Sequence, residues 1–173
     1  MKTELVYRDI CVEFMKQAEI ESSKTALVCE GLELTYETLN QKSNQLANFL
    51  LSKGIRENDI VGVIAGRGIN LIISLLGILK VGATYLPIDI NTPRKRITYI
   101  IEDLAVESYL IKSILDGNFS AAFVYPTYDK NRNVYCIYTS GSTGYPKGVI
   151  IKYDYFMNLL SWYINKFQIN QAD

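Results

Sequence analysis

The stretch Val134-Tyr135-Cys136-Ile137-Tyr138-Thr139-Ser140-Gly141-Ser142-Thr143-Gly144-Tyr145-Pro146-Lys147-Gly148-Val149-Ile150-Ile151-Lys152 reads as strand, loop and strand. Val134 to Tyr138 and Val149 to Lys152 are short apolar runs of the kind that pair in a sheet. Between them, four hydroxyl residues and three glycines crowd the eleven positions from Tyr138 to Gly148. Glycines let backbone N–H groups come close to an anion, which side chains at those positions would prevent. Serine and threonine add short hydroxyl donors, Lys147 adds a point charge for a phosphate oxygen, and Pro146 stiffens the exit. A solvated Gly/Ser linker would need neither the Pro-Lys-Gly exit nor flanking apolar strands. The loop is also not a Walker A motif, since Pro146 stands where that motif needs its second glycine. It does not match G-x-G-x-x-G, so a Rossmann dinucleotide site is not supported.

Upstream of this stretch, apolar patterns of two periods alternate. Tyr7 to Ile20 carries Ile10, Phe14, Met15 and Ala18 at helical spacing. Thr25 to Cys29 and Leu32 to Tyr36 predict two strands around a Glu30-Gly31 turn. Thr35 can cap a following helix, with Glu37 in its first turn and Leu39, Ser43, Leu46, Ala47 and Leu50 as its buried stripe. Gly54 stands where that helix would end. Ile60 to Ala65 is a Val/Ile-rich run without alternation, which suits a strand buried on both faces. Ile69 to Val81 predicts a buried helix stopped at Gly82, Thr84 to Ile88 a strand, and Pro93 the start of a helix carrying Ile97, Ile100, Ile101 and Leu104. Glu107 to Ile111 predicts a further short strand, and Gly117 to Lys130 a loop with one short strand in it. After the glycine-rich loop, Tyr153 to Phe167 predicts a helix with Phe156, Leu159, Leu160 and Tyr163 on one side. Alternation of this kind predicts an α/β domain with a largely parallel sheet and flanking helices.

Composition removes several classes of function. The 173 residues are 49% hydrophobic and 21% charged, enough to bury a core and unlike a disordered chain. Eighteen basic residues balance eighteen acidic ones, so no electrostatic footprint for nucleic acid is present. Arg94-Lys95-Arg96 reads as a solvated first helical turn. The apolar run from Ile60 to Leu79 is broken at Gly66-Arg67-Gly68 and Asn70, and each half is too short to span a bilayer. With no apolar leader at the N-terminus, a cytoplasmic location is expected. Cys11, Cys29 and Cys136 lack metal or disulfide spacing, and reduced thiols are expected. The chain has no histidine, which removes Ser-His-Asp and Cys-His nucleophile schemes and histidine metal sites.

Tyr138-Thr139-Ser140-Gly141-Ser142-Thr143-Gly144-x-Pro146-Lys147-Gly148 resembles the phosphate-loop signature of the adenylate-forming (AMP-binding) superfamily. Leu34-Thr35-Tyr36-Glu37-Thr38-Leu39-Asn40 and Leu79-Lys80-Val81-Gly82-Ala83-Thr84-Tyr85-Leu86-Pro87-Ile88-Asp89 are similar to the first two core motifs of nonribosomal peptide synthetase adenylation domains. Singly, each is an ordinary strand-to-helix or helix-to-strand junction; together they follow the family's order. Asn158-Leu159-Leu160-x-Trp162 with Phe167 is similar to the helix after the loop in those domains. Where relatives often carry a histidine at the end of the following strand, Lys152-Tyr153 stands here.

The resemblance implies ATP-dependent activation of an amino acid as aminoacyl-AMP, with Mg2+ carried by ATP, and transfer to the phosphopantetheine thiol of a partner carrier protein. It implies that Thr139, Ser140, Gly141, Ser142, Thr143, Gly144 and Lys147 grip the nucleotide; none is a nucleophile or general base, and no catalytic residue or metal ligand is identified. Two alternatives stay open: an acyl-CoA or aryl-acid ligase of the same superfamily, and a non-catalytic truncated paralogue. The expected organisation is a partial adenylation domain over residues 1–173, the first part of the large N-terminal domain. It would stop before the amino-acid pocket, hinge and C-terminal subdomain. Expected partners are the amino-acid substrate, the carrier protein and the remainder of the adenylation domain in cis or trans, with no nucleic acid and no membrane. The isolated chain is expected not to catalyse amino-acid-dependent pyrophosphate exchange. Phe156, Leu159, Leu160, Trp162 and Tyr163 are expected to need covering.

Overall fold

The computed structural model of the chain describes residues 9–104, 110–111, 119–139 and 146–169. Helix α1 (Ile10–Ile20) begins at Asp9, whose carboxylate accepts from the N–H of Cys11 at 2.9 Å. Strands β1 (Thr25–Cys29) and β2 (Leu32–Thr35) form an antiparallel hairpin. Thr35 then caps α2 (Tyr36–Ser52), its Oγ1 accepting from the N–H of Thr38 at 3.1 Å, with Glu37 in the first turn. This is the capping chemistry that the sequence calls for. There follow β3 (Ile60–Ala65), α3 (Ile69–Lys80), β4 (Thr84–Asp89), α4 (Arg94–Asp103), β5 (Leu110–Ile111), β6 (Asn133–Thr139), β7 (Lys147–Lys152) and α5 (Tyr153–Phe167).

The main sheet has the order β5-β3-β4-β6-β7. β3 pairs in parallel with both β4 and β5, β4 pairs in parallel with β6, and β7 turns back antiparallel on β6. Successive side chains on a strand point to opposite faces, and the two faces here meet different helices. Val61, Val63 and Tyr85 pack with Leu46, Ala47, Leu50 and Ile78 of α2 and α3. Ile60, Leu86 and Ile88 pack with Ile100 of α4 and Cys136 of β6. Burial on both faces explains why β3 shows no polar alternation. The α/β architecture with a largely parallel sheet and flanking helices is therefore the one the sequence predicts. No helix among the described residues is long and apolar enough to cross a membrane.

Two buried cations tie together the elements around this sheet. Lys80, fully buried at the end of α3, donates to Asn40 Oδ1 at 2.6 Å, Ser43 Oγ at 2.8 Å and Asn44 Oδ1 at 2.6 Å. Ser43 spends its own proton on the Asn40 carbonyl and Asn44 its amide on the Ala121 carbonyl, so all three partners are acceptors. Three acceptors match the three donors of an ammonium. Burial nevertheless pulls the Lys80 pKa down to about 8.

Arg132, also buried, donates from Nη2 to Asp9 Oδ2 at 2.8 Å and to the Tyr125 hydroxyl at 3.2 Å. Its guanidinium lies over the Tyr153 ring at 4.2 Å and the Tyr128 ring at 4.9 Å. Tyr128 in turn donates to the Lys80 carbonyl at 2.9 Å, and its ring would sit 2.6 Å from a Cβ at residue 82. Gly82 is required there twice over: φ is +75°, and the ring occupies the side-chain space.

Some local expectations shift. Residues 119–130 form no strand, because their carbonyls are taken by helix α2: Asn48 donates to Ser120 and Ala122, and Asn44 to Ala121. Side-chain donors there replace a strand partner. The predicted strand over Glu107 to Ile111 is present at Leu110–Ile111, and residues 105–109 lie outside the described residues, as do Tyr7 and Arg8. On α5, Phe156 and Leu160 are half-buried, whereas Leu159, Trp162, Tyr163 and Phe167 remain exposed, beside exposed Val149 and Ile150 of β7.

Replacing Arg132 by methionine leaves the Asp9 carboxylate without its cation in a largely buried setting. The expected loss is about 3 kcal/mol, read as a fall in the urea midpoint. Adding Asp9→Asn should recover part of it, and a single variant as stable as the parent would refute the role of the pair.

Lys80 sets a second expectation. Its folded pKa lies below the ordinary value of 10.5, so between about pH 8 and 10 the unfolded chain binds more protons and stability gains from this group as pH rises. Cys11, its thiol pushed up to about 12 mainly by burial, opposes this above pH 9. The difference in unfolding free energy between the parent and Lys80→Met isolates the lysine. It should change in the parent's favour from pH 8 to pH 10, and a pH-independent difference would count against the effect.

Candidate phosphate-binding hairpin

The segment singled out by composition joins β6 to β7. Their antiparallel register places Tyr135 opposite Ile151, Cys136 opposite Ile150, Ile137 opposite Val149, Tyr138 opposite Gly148 and Thr139 opposite Lys147. The last pair brings the two ends of the predicted loop together. Thr139 Oγ1 lies 3.5 Å from the Lys147 carbonyl, at the outer limit of a hydrogen bond. Both residues are exposed, and Lys147 makes no ion pair among the described residues. Ser140, Gly141, Ser142, Thr143 and Gly144 lie outside the described residues.

The position in the fold suits a ligand. β3, β4 and β6 are parallel and end at Ala65, Asp89 and Thr139, so their carboxyl ends share one edge. In open α/β sheets, ligands sit in the crevice outside that edge. Because β7 runs the other way, its first residue, Lys147, falls at the same edge. A hydroxyl and an ammonium that has no ion pair among the described residues, set there, fit a polyanion.

Close packing beneath the hairpin explains Gly148. A Cβ at that position would lie 3.2 Å from Cys136 Sγ and 3.2 Å from the ring of Tyr138. Without one, the Tyr138 ring can lie across β7 and donate its hydroxyl to Asp103 Oδ2 at 2.8 Å. Burial, then the Asp103 carboxylate, pushes the Tyr138 pKa up. Tyr99 of α4 donates to the Pro146 carbonyl at 3.2 Å. The sequence motifs do not contain Tyr99 or Asp103. Their only signal is a spacing of four residues on a helix whose opposite side is apolar, and that pattern does not say what the face meets.

The sequence profile of the AMP-binding enzyme family matches residues 14–124 and 120–173. Bacitracin synthase 3 of Bacillus licheniformis is 39% identical over 176 residues, covering 92% of this chain and 3% of that protein. Among solved structures, the nonribosomal peptide synthetase FmoA3 in its α-methyl-L-serine-AMP-bound form superposes with a TM-score of 0.84 at 27% identity, over 94% of this chain and 20% of that one. The AMPPNP-bound form of the same protein gives a TM-score of 0.82 at 27% identity, over 99% of this chain and 20% of that one. The chain thus spans only a small part of the length of the proteins it matches. Motifs, fold and profile agree: the chain belongs to the AMP-binding enzyme family, the adenylate-forming ligases.

Proposed function

We propose that the chain forms the nucleotide-gripping part of an adenylation domain that activates an amino acid as aminoacyl-AMP for transfer to a carrier-protein thiol. The observation that carries this reading is the cross-strand pair of Thr139 and Lys147 at the carboxyl edge of the sheet. Support comes from similarity to a bacitracin synthase and to a synthetase solved with an aminoacyl-AMP and with AMPPNP.

In the proposed reaction the amino acid's carboxylate attacks the α-phosphorus of ATP and pyrophosphate departs. Negative charge grows on the leaving group, and donors already fixed in place stabilise it without reorganising. Lys147 offers an ammonium and Thr139 a hydroxyl to the β- and γ-phosphates, with Ser140, Gly141, Ser142, Thr143 and Gly144 completing the grip. Mg2+ enters on the nucleotide. The phosphopantetheine arm of a carrier protein receives the acyl group, in the cytoplasm.

The domain organisation that accompanies this reading places residues 1–173 in the large N-terminal domain, with the amino-acid pocket, hinge and C-terminal subdomain on other sequence. The exposed faces of α5 and β7 suit that arrangement. Leu159, Trp162 and Phe167 are each 57% exposed, and each is worth about 1.5 to 3 kcal/mol when buried. The remainder of the adenylation domain, in cis or trans, is the proposed cover.

Calorimetric titration of the 173-residue chain with Mg-ATP tests the grip. Lys147→Ala should weaken binding about tenfold, as expected for losing one charge-assisted contact, and Lys147→Arg should weaken it less. ATP binding equally tight in Lys147→Ala would refute the assignment. Amino-acid-dependent pyrophosphate exchange should be absent from this chain alone across a full amino-acid panel.

A further inference from the structure

Helix α4 touches the hairpin on both sides of its turn. Tyr99 holds the Pro146 carbonyl at 3.2 Å, and Asp103 holds the Tyr138 hydroxyl at 2.8 Å. The two α4 residues are four apart, so they share one face, one turn from each other. Their targets are the chain neighbours of the two groups assigned to phosphate: Pro146 precedes Lys147, and Tyr138 precedes Thr139. Both contacts therefore come from a single rigid body. That body is itself fixed, because Ile100 of α4 is 3% exposed and packs on Ile60, Leu86, Ile88 and Cys136.

The need for such a device follows from where the pair sits. Thr139 and Lys147 are exposed at the very end of the β6–β7 ladder, where strand ends fray at little cost in free energy. A ligand that must first order its donors loses affinity to that ordering, whereas preorganised donors do not pay it. Pro146 has no N–H, so its own contribution to the hairpin is limited to its carbonyl, and that carbonyl accepts the Tyr99 hydroxyl. On the other strand, Gly148 leaves room for the Tyr138 ring to pass over β7 toward α4. The chemistry at both strands is directed to the same helix.

We propose that Tyr99 and Asp103 are positioning residues for polyphosphate, clamping Pro146 and Tyr138 so that the Lys147 ammonium and the Thr139 hydroxyl are held at a fixed separation. The clamp rests on the phosphate-binding reading of the hairpin. It adds to that reading two residues, on a helix distant in sequence, which touch no substrate and act through the strand ends.

The test is calorimetric binding of inorganic tripolyphosphate to the 173-residue chain and to four variants, with thermal melting of each. Tyr99→Phe keeps the ring and removes one donor; Asp103→Ala removes the acceptor; Asp103→Asn keeps an acceptor oxygen; Lys147→Ala is the reference for the grip itself. Tyr99→Phe and Asp103→Ala should each weaken binding about 3- to 10-fold, the range for one net hydrogen bond. Asp103→Asn should return to within about twofold of the parent, since an amide oxygen still accepts the Tyr138 proton. The melting midpoint of Asp103→Asn should stay within about 2 °C of the parent and that of Tyr99→Phe should fall by no more than about 4 °C, while amide exchange at Lys147 and Gly148 quickens in Tyr99→Phe. If Lys147→Ala weakens binding and Tyr99→Phe and Asp103→Ala do not, the clamp is overturned and the phosphate reading stands. Affinity lost only in step with the melting midpoint, without rescue in Asp103→Asn, also overturns it. If the parent binds no tripolyphosphate, or Lys147→Ala binds it as the parent does, the phosphate reading fails and the clamp falls with it.

Discussion

A guanidinium taken out of water must be compensated within reach of its own side chain, and Arg132 meets that demand by drawing three parts of the chain around it. Its Nη2 binds Asp9 at the start of α1 and Tyr125 in the segment before β6. Its planar face stacks on Tyr153 at the start of α5 and on Tyr128. The Arg132 carbonyl accepts from the Tyr153 N–H at 2.9 Å, and the Tyr153 hydroxyl accepts from the Ile10 N–H at 2.6 Å. Through Tyr128 the same cluster reaches the last turn of α3 and the Gly82 corner. The arginine Nε and Nη1 have no hydrogen-bond partner among the described residues. Stacking on two aromatic faces and one carboxylate offset this desolvation.

This cluster places the start of β6 and the start of α5 against one another, so the β6–β7 hairpin leaves and re-enters the fold at a fixed point. From there the sheet carries the site. Parallel strands bring their carboxyl ends to one edge, and the reversal at β7 brings Lys147 to that edge as well. Lys80 does for α2 and α3 what Arg132 does for the ends of the chain: its ammonium gathers Asn40, Ser43 and Asn44 of α2 onto the end of α3. Both cations lie within motifs or segments that flank the sheet, and both side chains are buried.

Most elements were legible because their signals are local. The Thr35 cap and Gly54 bound α2, the unbroken Ile60 to Ala65 run announces a strand buried twice, and Gly82 stops α3 because only glycine accepts its φ beside the Tyr128 ring. The segment before β6 is less legible, since an extended run whose carbonyls bind the asparagines of α2 looks in sequence like one that binds a strand. Of the candidate site, the loop and the charge of Lys147 were legible from composition, and Thr139 was named with the rest of the grip through the family resemblance. Tyr99, Asp103 and the reason for Gly148 were not, because a hydrogen bond spanning 35 or 47 residues leaves no periodic trace.

The sequence by itself determined what kinds of element form and what chemistry one loop can hold. Apolar period, caps and glycine stops act within a few residues, and glycine with hydroxyl and lysine suits a phosphate wherever the fold puts it. Tertiary structure alone decided which partners those elements found. The register that sets Thr139 against Lys147, the helix α4 that reaches both strand ends, and the burial of Arg132 between Tyr128 and Tyr153 each depend on residues remote in the chain. Such contacts form only because two apolar sheet faces must be covered at once, and covering them settles the place of every helix that bears a polar group.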